Sequence, residues 1–96
     1  MPRVRSHPGE ILNEEFLLPL TLSAKALGDA VGVPANRISD IVRARRGITA
    51  DTAIRLGRYF GTSPEFWMNL QAAHDLSKAD AGTDYSGIAR REDAPA

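Results

Sequence analysis

Cysteine is absent from the 96 residues, so neither a disulfide framework nor a thiolate-held zinc is open to this chain. Aromatic residues make up only 6% of it, too few for a large base-stacking platform. No apolar run exceeds the five residues Phe16 to Leu20, itself broken by Pro19, and nothing is long enough to span a bilayer. Arg3 and Arg5 precede no apolar stretch, which predicts no secretory signal and a soluble, intracellular protein. Net charge is missing as well. Twelve Lys/Arg cancel twelve Asp/Glu, a balance that argues against a general nucleic-acid coat. What remains is ordinary globular composition, 43% hydrophobic and 25% charged, with room for one small domain. So small a core is modest, and a partner subunit is expected to add stability.

Catalytic signatures are equally scarce. The only histidines, His7 and His74, stand far apart in the chain. There is no HExxH, CxxC or GxSxG and no phosphate-cradling glycine loop. Glu14 and Glu15 are adjacent, so on a helix they face apart and form no acid–base pair. The reading is of a protein that is not an enzyme, with no catalytic residue, metal site or cofactor. His74 reads as a satisfied surface or interface residue.

The zero net charge hides an asymmetry. Residues 1–33 carry −1, residues 34–61 carry +4 from Arg37, Arg43, Arg45, Arg46, Arg55 and Arg58 against two acids, and residues 62–96 carry −3. A basic middle between acidic flanks suits a protein that touches phosphate with one face. A solvated, salt-bridged helix face would look the same by charge alone.

Glycine and proline divide the chain into five short helices with no strand signal and no repeat. Residues 1–6 read as a flexible arm, 7–80 as the domain and 81–96 as a polar tail, mobile or ordering on a partner. Pro8 suits a first helical position, and Pro19 is expected to end that helix. Ser23 caps Ala24–Val31, which Gly32 stops. Pro34 is expected at the first position of a helix over Ala35–Arg45 that Gly47 ends. Thr49 caps a helix with Ala53, Leu56, Gly57 and Phe60 facing the core, and Gly61 stops it. The fifth helix runs from Pro64 to about Lys78, begun by a Thr62–Glu65 capping box or by a Ser63 cap.

The informative stretch is Ala24 to Arg43, AKALGDAVGVPANRISDIVR. Counting Ala24 as position 1, positions 4, 8, 10, 15 and 18 are the apolar Leu27, Val31, Val33, Ile38 and Ile41. Position 5 is Gly28, small enough to let two steeply crossing helices approach. Position 9 is Gly32, which can adopt the positive φ of a three-residue turn. That is a helix-turn-helix, with motif 24–43, and its second helix is the recognition helix.

With Ile38 and Ile41 assigned to the core, Pro34, Ala35, Asn36, Arg37, Ser39 and Asp40 are left for the major groove. Ala35, Asn36, Arg37 and Ser39 are the candidate base contacts. Asn36 can pair with adenine N6/N7, Arg37 with guanine O6/N7, and Ala35 can touch a thymine methyl. The competing reading makes Asn36 a solvated helix-start residue and pairs Arg37 with Asp40 three residues on. Asp40 would repel phosphate, so its expected role is to orient Arg37 or Arg43. Arg43, Arg45 and Arg46 suit the negative end of the helix dipole, and they also stand where the chain meets backbone phosphate. With Thr49 and, more weakly, Lys25, they are the candidate phosphate contacts.

With HPGEIL at 7–12, VPANRISDIV at 33–42 and RRGITADTAIRLGRYFGTSPEFWMNLQAAHDL at 45–76, the chain resembles the HigA-type antitoxins, a branch of the Cro/cI (XRE) helix-turn-helix family. The resemblance covers about residues 7–78. It implies an all-α, five-helix λ-repressor-like domain in the bacterial cytoplasm and a homodimer on double-stranded operator DNA with inverted half-sites. It also implies an antitoxin that silences an mRNA-cleaving HigB-type toxin and represses its own operon. A stand-alone XRE regulator, or an interaction module that has lost DNA binding, would share the fold. One departure stands out: Asn-Gly commonly ends the recognition helix in this family, and Arg43-Ala44 stands there. The dimer candidates are Phe66, Trp67 and Leu70 on the fifth helix, with core packing as the competing assignment, above all for Trp67.

Overall fold

The computed structural model describes residues 3–95, all of whose regular elements are helices. Pro8–Ile11, Leu12–Leu17 and Leu18–Leu20 follow without a break as one helix, α1, whose middle six residues are π-helical. Then come α2 (Ala24–Val31), α3 (Ala35–Val42), α4 (Ala50–Phe60) and α5 (Pro64–Gly82). Helix α2 packs on α3, α4 on α5, and α1 touches both α3 and α5.

The core explains that arrangement. Leu12, Leu27, Ile38, Ile41, Leu56 and Trp67 are fully buried, with Val33 and Ile48 close to it. All five apolar positions of the helix-turn-helix pattern are inside. At α3 start, the backbone of Val33–Ala35 lies so close to Gly28 that a Cβ there would stand 2.7 Å from the Val33 carbonyl oxygen. Gly32 takes φ 78°, as the turn requires.

Several boundaries differ from expectation. Pro19 does not end α1. In an α-helix its ring would strike the carbonyl four residues back, and it has no N–H to donate. The wider ladder before it, in which the Leu18 N–H donates to the Asn13 carbonyl, relieves that conflict. The helix runs on to Leu20, and left-handed Thr21 (φ 52°) turns the chain. Pro34 is the cap of α3 and not its first residue; its ψ of 145° is extended, which lets Val33 turn into the core first.

Helix α3 stops at Val42, three residues short of the expected Arg45. Ile48 must reach the core, so the chain reverses early, at Ala44 with φ 60° and not at Gly47. The Ala44 N–H donates to the Ile41 carbonyl (3.0 Å) and the Arg45 N–H to the Asp40 carbonyl (2.8 Å), the bond pair of a Schellman motif. Helix α5 begins with the Ser63 cap, Oγ accepting from the Phe66 N–H at 3.1 Å, and reaches Gly82, past Lys78 and into the expected tail. Thr62, the alternative cap, instead accepts from Trp67 Nε1–H at 2.8 Å. The arm is held at Arg5, whose N–H donates to Ser77 Oγ and whose carbonyl accepts from His74 Nδ1, both at 2.8 Å. Met1 and Pro2 of the expected arm lie outside the described residues, as does Ala96 of the tail.

Candidate nucleic-acid interface

Helix α3 carries its two isoleucines inward, which turns its polar residues out. Asn36 is exposed, while Ala35, Arg37 and Ser39 are half-buried on the rim. The expected Arg37–Asp40 ion pair is not formed, nor does Asp40 hold Arg43. Among the described residues the ion pairs are Lys25–Asp29, Asp51–Arg55 and Arg91–Asp93. Asp40 contributes through its backbone instead: its carbonyl accepts from Arg45 and Arg46 and folds the loop back on the helix end.

Arg43, Arg45 and Arg46 are exposed, consecutive with the recognition helix and free of ion pairs among the described residues. Three unpaired guanidiniums at one helix end need no rearrangement to meet phosphate. Lys25 is committed to Asp29 at 2.9 Å, but both groups are largely exposed, so giving up that pair costs little, ~0–1 kcal/mol. Thr49 Oγ1 accepts from the Thr52 N–H at 3.4 Å and caps α4 loosely.

A second layer, not visible in the sequence, fixes this edge from behind. Gln71 of α5 accepts from the Ile48 N–H at 2.7 Å and donates to Asp75 at 3.0 Å, so it anchors the loop carrying Arg45 and Arg46. Gly9 lies directly on the end of α3; a Cβ there would fall 1.8 Å from the Ile41 carbonyl oxygen. Arg55 donates to the Val31 carbonyl at 2.8 Å while paired to Asp51. This member of the basic segment therefore ties α4 to the turn. Such contacts join residues 23 to 72 positions apart, and no local pattern announces them. The HxG start of α1 is the one available hint, since a cap followed by glycine marks a close approach.

Behind the loop is a shallow groove of about 160 Å³ whose lining includes His7, Arg45, Arg46, Gln71, His74 and Lys78. The His7 and His74 rings meet edge to face at 4.9 Å. His7 Nδ1 accepts from the Gly9 N–H at 2.9 Å and caps α1. Partial burial, and then the His74 charge, hold the His7 pKa below its ordinary value; Asp75 works against them and Lys78 adds to them.

The three dimer candidates divide. Trp67 is fully buried within its own protomer, between Phe16 (5.2 Å between ring centroids) and Phe66 (5.0 Å), so it is a core residue and not a seam. Leu70 is half-buried against the core, and Phe66 keeps an exposed edge.

The helix-turn-helix family model (HTH_3) matches residues 14–67. The virulence-associated protein I of Dichelobacter nodosus is 56% identical over 80 residues, covering 83% of this chain and 72% of that protein. The structure of Pseudomonas aeruginosa antitoxin HigA with the higBA promoter superposes with a TM-score of 0.79 at 56% identity, covering 82% of this chain and 85% of that one. Antitoxin GraA in complex with its operator superposes with a TM-score of 0.88 at 43% identity, over 98% of this chain and 97% of that one.

Proposed function

The chain belongs to the HigA-type antitoxins of the helix-turn-helix family, and from that premise we propose how its surface divides the work. It is a sequence-specific DNA-binding antitoxin that represses its own operon and neutralises a HigB-type mRNA-cleaving toxin. Helix α3 enters the major groove. Asn36 and Arg37 read base edges, with Ala35 and Ser39 completing the contact surface. Arg43, Arg45 and Arg46 grip backbone phosphate and set the register, helped by Lys25 and by the α4 start at Thr49. Two copies of the chain read two inverted half-sites about 34 Å apart, a spacing a single recognition helix cannot cover.

One observation carries this reading. All five apolar positions of the motif are buried, and the polar residues left on α3 are followed by Arg43, Arg45 and Arg46, exposed and free of ion pairs among the described residues. Among the described residues no helix is long and apolar enough to cross a membrane.

The test is a titration of the full chain against its own upstream DNA at two salt concentrations, for wild type and Arg37→Ala. Six to ten phosphate contacts per dimer should weaken binding by about 10³–10⁵ between 50 and 200 mM salt. Arg37→Ala should lose about 1–3 kcal/mol of discrimination per half-site with the salt slope nearly kept. Equal affinity of wild type for its own promoter and for unrelated DNA, at both salts, would overturn the reading.

A further inference from the structure

We propose that the dimer seam is the outer face of α4, paired antiparallel with the same face of a second copy of this chain. This rests on the operator-reading function above, which needs two copies, and names the surface that joins them.

Near its start the fifth helix uses its apolar side internally: Trp67 is buried, Leu70 packs on the core and Phe66 stacks on Trp67, which leaves Leu76 exposed further along. Helix α4 leaves part of its own outside. Thr52, Ala53, Leu56 and Gly57 face inward. The opposite stripe, at helical spacing, is Asp51, Ile54, Arg55, Arg58 and Tyr59. Ile54 is 51% exposed and Tyr59 47%, and they line one shallow depression that also reaches the C-terminal end of α2. Two large apolar side chains side by side on one polar helix face are the kind of surface that a partner covers.

Charge selects the partner. Asp51 and Arg58 stand seven residues, two turns, apart on that stripe. A two-fold axis passing near Ile54 and Arg55 lays each Asp51 beside the other copy's Arg58. The stripe is therefore complementary to itself, as an isologous interface must be. Arg55 does not compete: it is turned back onto Asp51 Oδ2 and the Val31 carbonyl of its own protomer. Asp51 keeps its second carboxylate oxygen for the incoming Arg58, which has no ion pair among the described residues. In that register each Ile54 lies beside the axis, against the other copy's Ile54 and Arg55. The stripe contains no residue of α3, so closing it leaves the recognition helix open.

The experiment is sedimentation velocity on the full chain without DNA, over a concentration series. Wild type should be a dimer. Ile54→Glu should raise the dissociation constant by about tenfold or more, with its helical circular dichroism unchanged because the site is exposed. Asp51→Arg and Arg58→Asp should each weaken the dimer, and the double variant should restore it by exchanging the charges. Phe66→Glu should dimerise as wild type does. A monomeric wild type, an Ile54→Glu variant with wild-type mass, or dissociation by Phe66→Glu alone would each overturn the seam. Operator binding is measured in parallel. If wild type binds its operator while Ile54→Glu stays dimeric, only the seam fails. If Ile54→Glu dissociates the dimer but wild type ignores its operator, only the functional reading fails.

Discussion

Ala44 sits where a helix of this kind wants glycine, and replacing it should stabilise the protein. The residue occupies the left-handed position of the Schellman motif that ends α3, with φ 60° and both characteristic backbone hydrogen bonds in place. For a residue with a Cβ that conformation costs roughly 1–2 kcal/mol. Glycine removes the cost but adds about 0.5–1 kcal/mol of backbone entropy to be lost on folding. Ala44 is exposed, so no packing is lost. The difference favours Ala44→Gly by about 0.5–1 kcal/mol, or roughly 2–8 °C in Tm for a chain of this size. Thermal melts followed by circular dichroism measure it. Gly32→Ala is the control of opposite sign, because it places a Cβ at φ 78° and 3.0 Å from the Arg55 guanidinium. An Ala44→Gly variant that melts at or below wild type would refute the assignment of strain to this residue.

Three further outcomes test the layer behind the interface. Gly9→Ala should destabilise the fold by about 3 kcal/mol or more, since neither α1 nor the backbone of α3 can yield to a Cβ at 1.8 Å; urea unfolding would show a sharply lower midpoint, and a near-wild-type midpoint would exclude the close packing. Thr62→Val leaves the buried Trp67 N–H without its acceptor and should cost about 1–3 kcal/mol by the same measurement, whereas a neutral result would mean that this bond is dispensable. His7 provides the pH dependence. Its folded pKa lies below the ordinary 6.5, so the unfolded chain binds the proton more readily. The contribution of neutral His7 is complete above pH 6.5 and is lost as pH falls through the lower folded value, and His74, Asp75 and Lys78 are the charges that face it. His7→Asn keeps a side-chain acceptor for the α1 cap and removes the titration. Urea midpoints measured from pH 7 downward should therefore fall less steeply in the variant, and parallel slopes would disprove the assignment.

What could be read from the sequence is what depends on near neighbours. The pattern Leu27, Val31, Val33, Ile38 and Ile41 located the helix-turn-helix, because burial repeats with the helix and each constraint lies within 20 residues. The Ser23, Thr49 and Ser63 caps and the Gly32 and Gly61 stops were legible for the same reason. Where local rules compete with a distant demand, they misled. Pro19 is a helix breaker by its ring alone, but a helix that widens before it can continue. Gly47 is the obvious terminator by residue type, but Ile48 has to be buried, and the chain turns three residues earlier on an alanine.

The same division runs through the candidate site. The residues offered to DNA follow from subtraction, since Ile38 and Ile41 go inward and Asn36 and Arg37 are what remains. Their support does not follow, because it comes from Gly9, Arg55 and Gln71, each distant in sequence from the residue it holds. Those three contacts converge on backbone: the Ile41 carbonyl, the Val31 carbonyl and the Ile48 N–H. Backbone contacts constrain the path of the chain without constraining which side chains it displays. Substitutions at Asn36 or Arg37 can therefore change the DNA sequence that is read while the helix keeps its place, whereas a change at Gly9 moves the helix itself and should weaken every sequence alike.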